Sequence, residues 1–172
     1  MTRKKILIDA QTIQRKVTEL GRQITGDYQG RRLVLLGVLN GSFIFMADLA
    51  RAIDLPLEVD FLRVASYGNS TSSSGSIRMT KAPELDLKDR DILLVEDIVD
   101  TGTTIAWLRD YIASHEAGSV RICALIDKQE RRQTEVEIHY PGFTVEEGFL
   151  VGYGLDYAEK YRNLPDICTL TP

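Results

Sequence analysis

Apolar residues fall into two periods along this chain. From Ile13 to Ile24 they recur at helical spacing (Ile13, Val17, Leu20, Ile24), which predicts an amphipathic packing helix that Asp9 can cap and that ends near Gly26. RLVLLGVL, Arg32 to Leu39, is instead a continuous apolar run of strand length, as expected for a strand buried on both faces. The turn Asn40-Gly41 follows, then an apolar helix, SFIFMADLARAI, with Ser42 available to cap it. Val59 to Tyr67 predicts a second strand, and SIRMTKAP and DILLVED two more. TTIAWLRDYIASH predicts a helix whose buried face carries Ile105, Leu108 and Ile112. VRICALIDK and GFLVGYGLDY read as strands, DYAEKYRNL as a short helix and ICTL as a closing strand. Strands alternating with helices indicate an α/β fold with a mostly parallel, doubly wound sheet.

At 172 residues one domain, spanning 1–172, is expected. The only low-complexity stretch is GNSTSSSG, Gly68 to Gly75, which composition alone reads as a solvated loop. A net charge of −4 gives no reason to expect a nucleic-acid or anionic-membrane surface, so any anionic ligand must be held by local groups. The opening MTRKKILIDA has too short an apolar run for a secretory signal, and no stretch approaches the ~20 residues of a membrane span, so a cytoplasmic location is expected. Cys123 and Cys168 lie in apolar runs and read as buried thiols; His115 and His139 have no partner at metal-ligand spacing. No transition-metal site is assigned.

The chemistry concentrates in VEDIVDTGTT, Val95 to Thr104. The buried run Ile92 to Val95 delivers two acids, Glu96 and Asp97, then Asp100 and a Thr-Gly turn at the start of a helix. Acids at the carboxyl end of a strand face the ligand crevice of an open α/β sheet. Amides of Thr101 to Thr104, unpaired at the helix start, make an anion site, and the hydroxyls of Thr101, Thr103 and Thr104 add donors. The lysine of a triphosphate-binding loop does not follow, so a sugar phosphate fits better. Two carboxylates ~5 Å apart repel by about 3 kcal/mol at an effective dielectric of about 20, which favours magnesium or sugar hydroxyls between them. A plain helix cap would use the same Asp and Thr types, and residue types alone leave both roles open.

VEDIVDTGTT resembles the phosphoribosyl diphosphate signature of type I phosphoribosyltransferases, and GVLNGSFIFMADL, VDFLRVASYG, ALIDK and GFLVGYGLDYAEKYRNLP follow the order of their hypoxanthine-guanine branch, over about residues 33–170. The resemblance implies the type I phosphoribosyltransferase fold, a mostly parallel twisted sheet flanked by helices, with a small hood from the terminal segments, mainly about 149–172. It implies transfer of 5-phosphoribosyl from its diphosphate to a 6-oxopurine, hypoxanthine and guanine, with magnesium as cofactor and a homodimer or homotetramer as assembly. Asp100 to Thr104 (Asp100, Thr101, Gly102, Thr103, Thr104) would hold the 5-phosphate, and Glu96 and Asp97 the ribose hydroxyls near magnesium. Asp100 would take the proton from purine N7. Lys128 would donate to the 6-oxo group and reject adenine, Phe149 would stack on the purine, and Leu150 would contact its edge through the backbone. Asp156 would bind a magnesium carried by pyrophosphate and Arg162 the pyrophosphate itself. Leu39, Asn40 and Gly41 would form the pyrophosphate loop, where the family has a non-proline cis peptide; many members carry Lys or Arg where this chain has Asn40. Ser66 and Tyr67 would open a catalytic lid over about residues 66–78, against the compositional reading of a plain loop. Alternatives on the same scaffold are a xanthine-preferring enzyme and an RNA-binding regulator, the latter requiring a basic face.

Overall fold

The continuous apolar runs become the centre of a six-stranded sheet. A computed structural model describes residues 3–67 and 76–171. In chain order the elements are β1 (Arg3–Ile8), α1 (Ala10–Asp27), β2 (Leu33–Val38), α2 (Phe43–Ala52), β3 (Glu58–Tyr67), β4 (Ser76–Lys81), β5 (Asp91–Val99), α3 (Thr103–Ala113), β6 (Ser119–Lys128), β7 (Tyr140–Val145), β8 (Phe149–Val151) and β9 (Ile167–Thr171). The large sheet runs β4-β3-β2-β5-β6-β7, parallel throughout except for the β3–β4 pair. Every residue of β2 is buried, as its unbroken apolar run predicts.

Alternation along the strands divides the core. Leu33, Leu35, Leu93, Val95, Cys123 and Leu125 pack with α1 and α2 on one face. Val34, Leu36, Ile92, Leu94, Ile122 and Ala124 meet Ile105, Leu108 and Ile112 of α3 on the other. Fully burying one such aliphatic side chain contributes about 1.5–3 kcal/mol, so the three-layer arrangement follows from the strand period itself. Asp9 caps α1 as expected, accepting from Thr12 N–H at 2.8 Å. The connection from β2 through α2 leads to β3 on one side, and that from β5 through α3 to β6 on the other. β2 and β5 are adjacent, so the direction of winding reverses between them and a crevice opens at their carboxyl ends.

A second, three-stranded antiparallel sheet, β1-β9-β8, joins the first and last described segments. Asp166 ties it to the main body by accepting from Ala10 N–H, at the start of α1, at 2.7 Å. Phe149 and Leu150 lie in its strand β8.

Four local readings change. Ser42 does not cap α2 with its side chain; its hydroxyl donates back to the Val38 carbonyl at 2.7 Å. Residues 156–164 form turns rather than a short helix: Ala158, Glu159 and Tyr161 have positive φ, and a Tyr157–Lys160 bridge closes a tight hairpin. The Asp156 carboxylate takes the Glu159 N–H at 2.9 Å, offering the backbone a partner that competes with helix. GFLVGYGLDY yields only the three residues of β8, because Gly152 and Gly154 adopt φ of 99° and 103° and turn the chain. β1 and β7 are strands that periodicity did not indicate, β1 because five of its six residues are exposed and β7 because Pro141 and Gly142 interrupt it. Proline is tolerated in β7 since that strand is a sheet edge.

Candidate active site

β5 carries the acid pair near its carboxyl end. Glu96 and Asp97 are 8% and 9% exposed, and their carboxylates interact although neighbouring strand residues ordinarily point to opposite faces. Glu96 Oε1 accepts from Asp97 N–H at 3.1 Å and Asp97 Oδ1 from Ile98 N–H at 2.9 Å. Burial, and next the neighbouring Asp97, hold the Glu96 carboxyl well above its usual range. Burial also raises Asp97, with the Arg162 guanidinium acting weakly in the opposite sense. Two buried acids that resist ionising together call for a cation or hydrogen-bond donors between them.

Beyond them the chain turns through Gly102, at φ 83°, into α3. A cleft of about 190 Å³ is lined by Glu96, Asp97, Asp100, Thr101, Gly102 and Thr104 among others. Gly102 lies at the head of α3 and Thr104 in its first turn, where amides lack intrahelical partners. Thr103 is set apart from this wall: its hydroxyl lies 3.3 Å from Thr134 Oγ1. The segment after β6 covers the turn, with Gln133 and Thr134 N–H donating to the Thr101 carbonyl at 2.9 and 3.0 Å. A Cβ at Gly102 would collide with the Thr134 carbonyl, so glycine is required for both conformation and space. A larger cavity of about 470 Å³ lined by Leu87, Tyr111 and His115 lies at the amino ends of the strands, away from these acids.

The β2–α2 loop faces the acid pair. The Leu39–Asn40 peptide is cis, and a Cβ on Gly41 would strike Asp97 Oδ2. In turn, a Cβ on Gly154 would strike the Gly41 carbonyl oxygen, so the turn after β8 packs directly on this loop. Arg162 donates to the Gly154 carbonyl at 2.8 Å and pairs with Asp156 at 3.2 Å and Glu159 at 3.2 Å. Leu39 to Gly41, Asp156, Arg162 and the acid pair therefore adjoin one another.

Lys128 ends β6, 8% exposed, with its ammonium 3.1 Å from Glu130. Glu130 is held below the usual carboxylate range by that hydrogen bond and by the charge of Lys128. Phe149 is 49% exposed and edge-on to Tyr157, with ring centroids 5.4 Å apart; Leu150 is buried. Phe149 thus keeps an open face. Ser66 and Tyr67 end β3, and residues 68–75 of the expected lid lie outside the described residues.

Sequence reasoning missed Arg131 and Arg132. Arg132 donates to the carbonyls of Asp100, Val99 and Lys128 and pairs with Asp127. Arg131 Nε donates to Asp100 Oδ2 at 3.1 Å. The available signal was two consecutive cations just past Lys128, in a chain whose phosphate turn begins with an acid. Among the described residues no three His, Cys, Asp or Glu side chains cluster as a metal cage. Magnesium does not need one, because it is commonly held by one or two carboxylates together with substrate phosphates and waters. The buried Glu96–Asp97 pair fits that requirement.

A buried acid pair and a Thr-Gly turn lie together at the switch point of a mostly parallel sheet, which places the chain among the α/β proteins whose crevice opens at the carboxyl ends of the strands. Residues 5–158 match the phosphoribosyl transferase domain, and the chain belongs to that family. It is 46% identical over 168 residues to the hypoxanthine-guanine phosphoribosyltransferase of Bacillus subtilis (strain 168), covering 98% of this chain and 93% of that relative. It is 47% identical over 168 residues to the bifunctional protein TilS/HprT of Listeria monocytogenes serotype 4b (strain F2365), of whose length it spans 26%. Among solved structures, a hypoxanthine phosphoribosyltransferase from Staphylococcus aureus superposes with a TM-score of 0.94 at 43% identity, covering 98% of this chain and 91% of that one.

Proposed function

We propose that this chain is a purine salvage enzyme that transfers the 5-phosphoribosyl group from phosphoribosyl diphosphate to hypoxanthine and guanine, giving IMP or GMP and pyrophosphate. The observation that carries this reading is the buried Glu96–Asp97 pair in one cleft with Asp100 and the Thr101–Thr104 turn, with Lys128 at the end of the neighbouring strand. Amides and hydroxyls of the turn bind the 5-phosphate. Glu96 and Asp97 bind the ribose hydroxyls beside magnesium, which neutralises charge on the leaving group. Leu39, Asn40, Gly41 and Arg162 bind pyrophosphate, with Asn40 contributing backbone rather than charge, and Asp156 takes a magnesium carried by it. Lys128 donates to the 6-oxo group; Phe149 and Leu150 hold the ring. As the purine's attacking ring nitrogen bonds to C1 of the ribose and pyrophosphate departs with the C1–oxygen electron pair, Asp100 accepts the N7 proton. Ser66 and Tyr67 begin the lid that shields this step from water. A cytoplasmic homodimer or homotetramer is the setting we propose; no described helix is long and apolar enough to cross a membrane.

The test is incubation with phosphoribosyl diphosphate, magnesium and each of hypoxanthine, guanine, xanthine and adenine, following pyrophosphate release. Turnover with hypoxanthine or guanine is expected. Turnover with xanthine alone would transfer the reading to that base, and salt-sensitive RNA binding with no turnover of any base would favour a regulator.

A further inference from the structure

The two arginines after Lys128 divide their contacts. Arg132 has 8% of its side chain exposed and donates to the carbonyls of Asp100 at 3.0 Å, Val99 at 3.3 Å and Lys128 at 3.1 Å. Together with the Gln133 and Thr134 amides on the Thr101 carbonyl, these bonds hold the segment on the phosphate turn. Arg131 is 65% exposed, and its hydrogen bonds go to one atom, Asp100 Oδ2, from Nε at 3.1 Å and from Nη2. The other carboxylate oxygen, Asp100 Oδ1, is buried and has no hydrogen-bond partner among the described residues.

We infer that Arg131 is a positioning residue for proton acceptance: by gripping Oδ2 at two points it fixes the plane and position of the Asp100 carboxylate that receives the purine's N7 proton. This rests on the proposed function, in which Asp100 is that acceptor. A carboxylate is otherwise free to rotate over a broad range about its terminal torsion, and a guanidinium fork fixes its plane as a single ammonium cannot. An exposed ion pair adds little to stability, and Arg132 already anchors the segment, so anchoring does not require Arg131. The proton then moves from N7 to the Asp100 carboxylate as the ribose–nitrogen bond forms and the C1–oxygen bond breaks toward pyrophosphate.

The test compares wild type, Arg131→Ala and Arg131→Lys in single-turnover formation of nucleotide from hypoxanthine, alongside titration of phosphoribosyl diphosphate affinity. Arg131→Ala should slow the single turnover by about 10- to 100-fold while donor affinity stays within about twofold, and Arg131→Lys should recover only part of the rate. An Arg131→Ala rate within about twofold of wild type overturns the inference. So does a loss of donor affinity that matches the loss of rate, which would mean a loosened turn. Arg131→Lys keeps the charge on an exposed position and guards against misfolding as the cause. Wild type that forms no nucleotide defeats the functional reading itself, so the two failures are told apart.

Discussion

Glu96 is the residue at which function and stability oppose each other. Its carboxyl is raised by burial and by Asp97, so the folded chain holds a proton there more tightly than the unfolded chain does. Between the ordinary carboxyl value of 4.5 and the raised folded value, the native state binds more protons, and stability therefore falls as pH rises through that window. Glu96→Gln, a permanently neutral isostere, should melt at a higher temperature than the wild type without ligand, and the gap should open as pH rises above the ordinary carboxyl value of 4.5. A gap that is constant with pH would show that Glu96 ionisation is not what opposes folding. Lys128 carries a second expectation. If its ammonium reads the 6-oxo group, Lys128→Ala should lower discrimination between hypoxanthine and adenine by about tenfold or more, measured as the ratio of kcat/KM values. An unchanged ratio would remove it from base recognition. These residues announced themselves in sequence because acids ending an apolar strand and a lone lysine closing another sit where the fold aims side chains at ligand. Arg131 and Arg132 did not, since the partners that tie them to Val99 and Asp100 lie 31 to 33 residues earlier and no local period connects them.

At the scale of elements, the strands buried on both faces and the amphipathic α1 were legible because burial imposes a period on the residues that fill it. β1 and β7 were not, because a sheet edge or an exposed face leaves polar and special residues in place of that signal. The 156–164 turns were misread as helix for a related reason: acid, aromatic and lysine residues suit a helix locally, while the positive φ values are imposed by contacts made elsewhere. The same contacts make a prediction. Gly154 lies at φ 103° with no room for a Cβ against the Gly41 carbonyl, so Gly154→Ala must displace either the turn or the pyrophosphate loop. It should cost about 1–3 kcal/mol in denaturant unfolding and raise KM for phosphoribosyl diphosphate. A variant of native stability and native KM would mean that this packing does not hold the loop.

For the molecule as a whole, the winding reversal between β2 and β5 opens one crevice at their carboxyl ends, while Phe149 and Leu150 belong to the separate β1-β9-β8 sheet. Under the proposed function each loop would bring one part of the chemistry: the acids and Thr-Gly turn for the sugar phosphate, the Leu39–Gly41 loop for pyrophosphate, and Lys128 with its arginine neighbours for the base. The parallel order was readable from alternating strands and helices; the meeting of the hood turn with Gly41 was not, since it depends on backbone approach rather than on any side chain. The account stands on the claim that these parts form one two-substrate site. Its most direct measurement is the yield of IMP and pyrophosphate from hypoxanthine and phosphoribosyl diphosphate, with magnesium present and with magnesium chelated. Equal molar amounts of both products, formed only with magnesium, are predicted; pyrophosphate released without nucleotide, or no product at all, would contradict it.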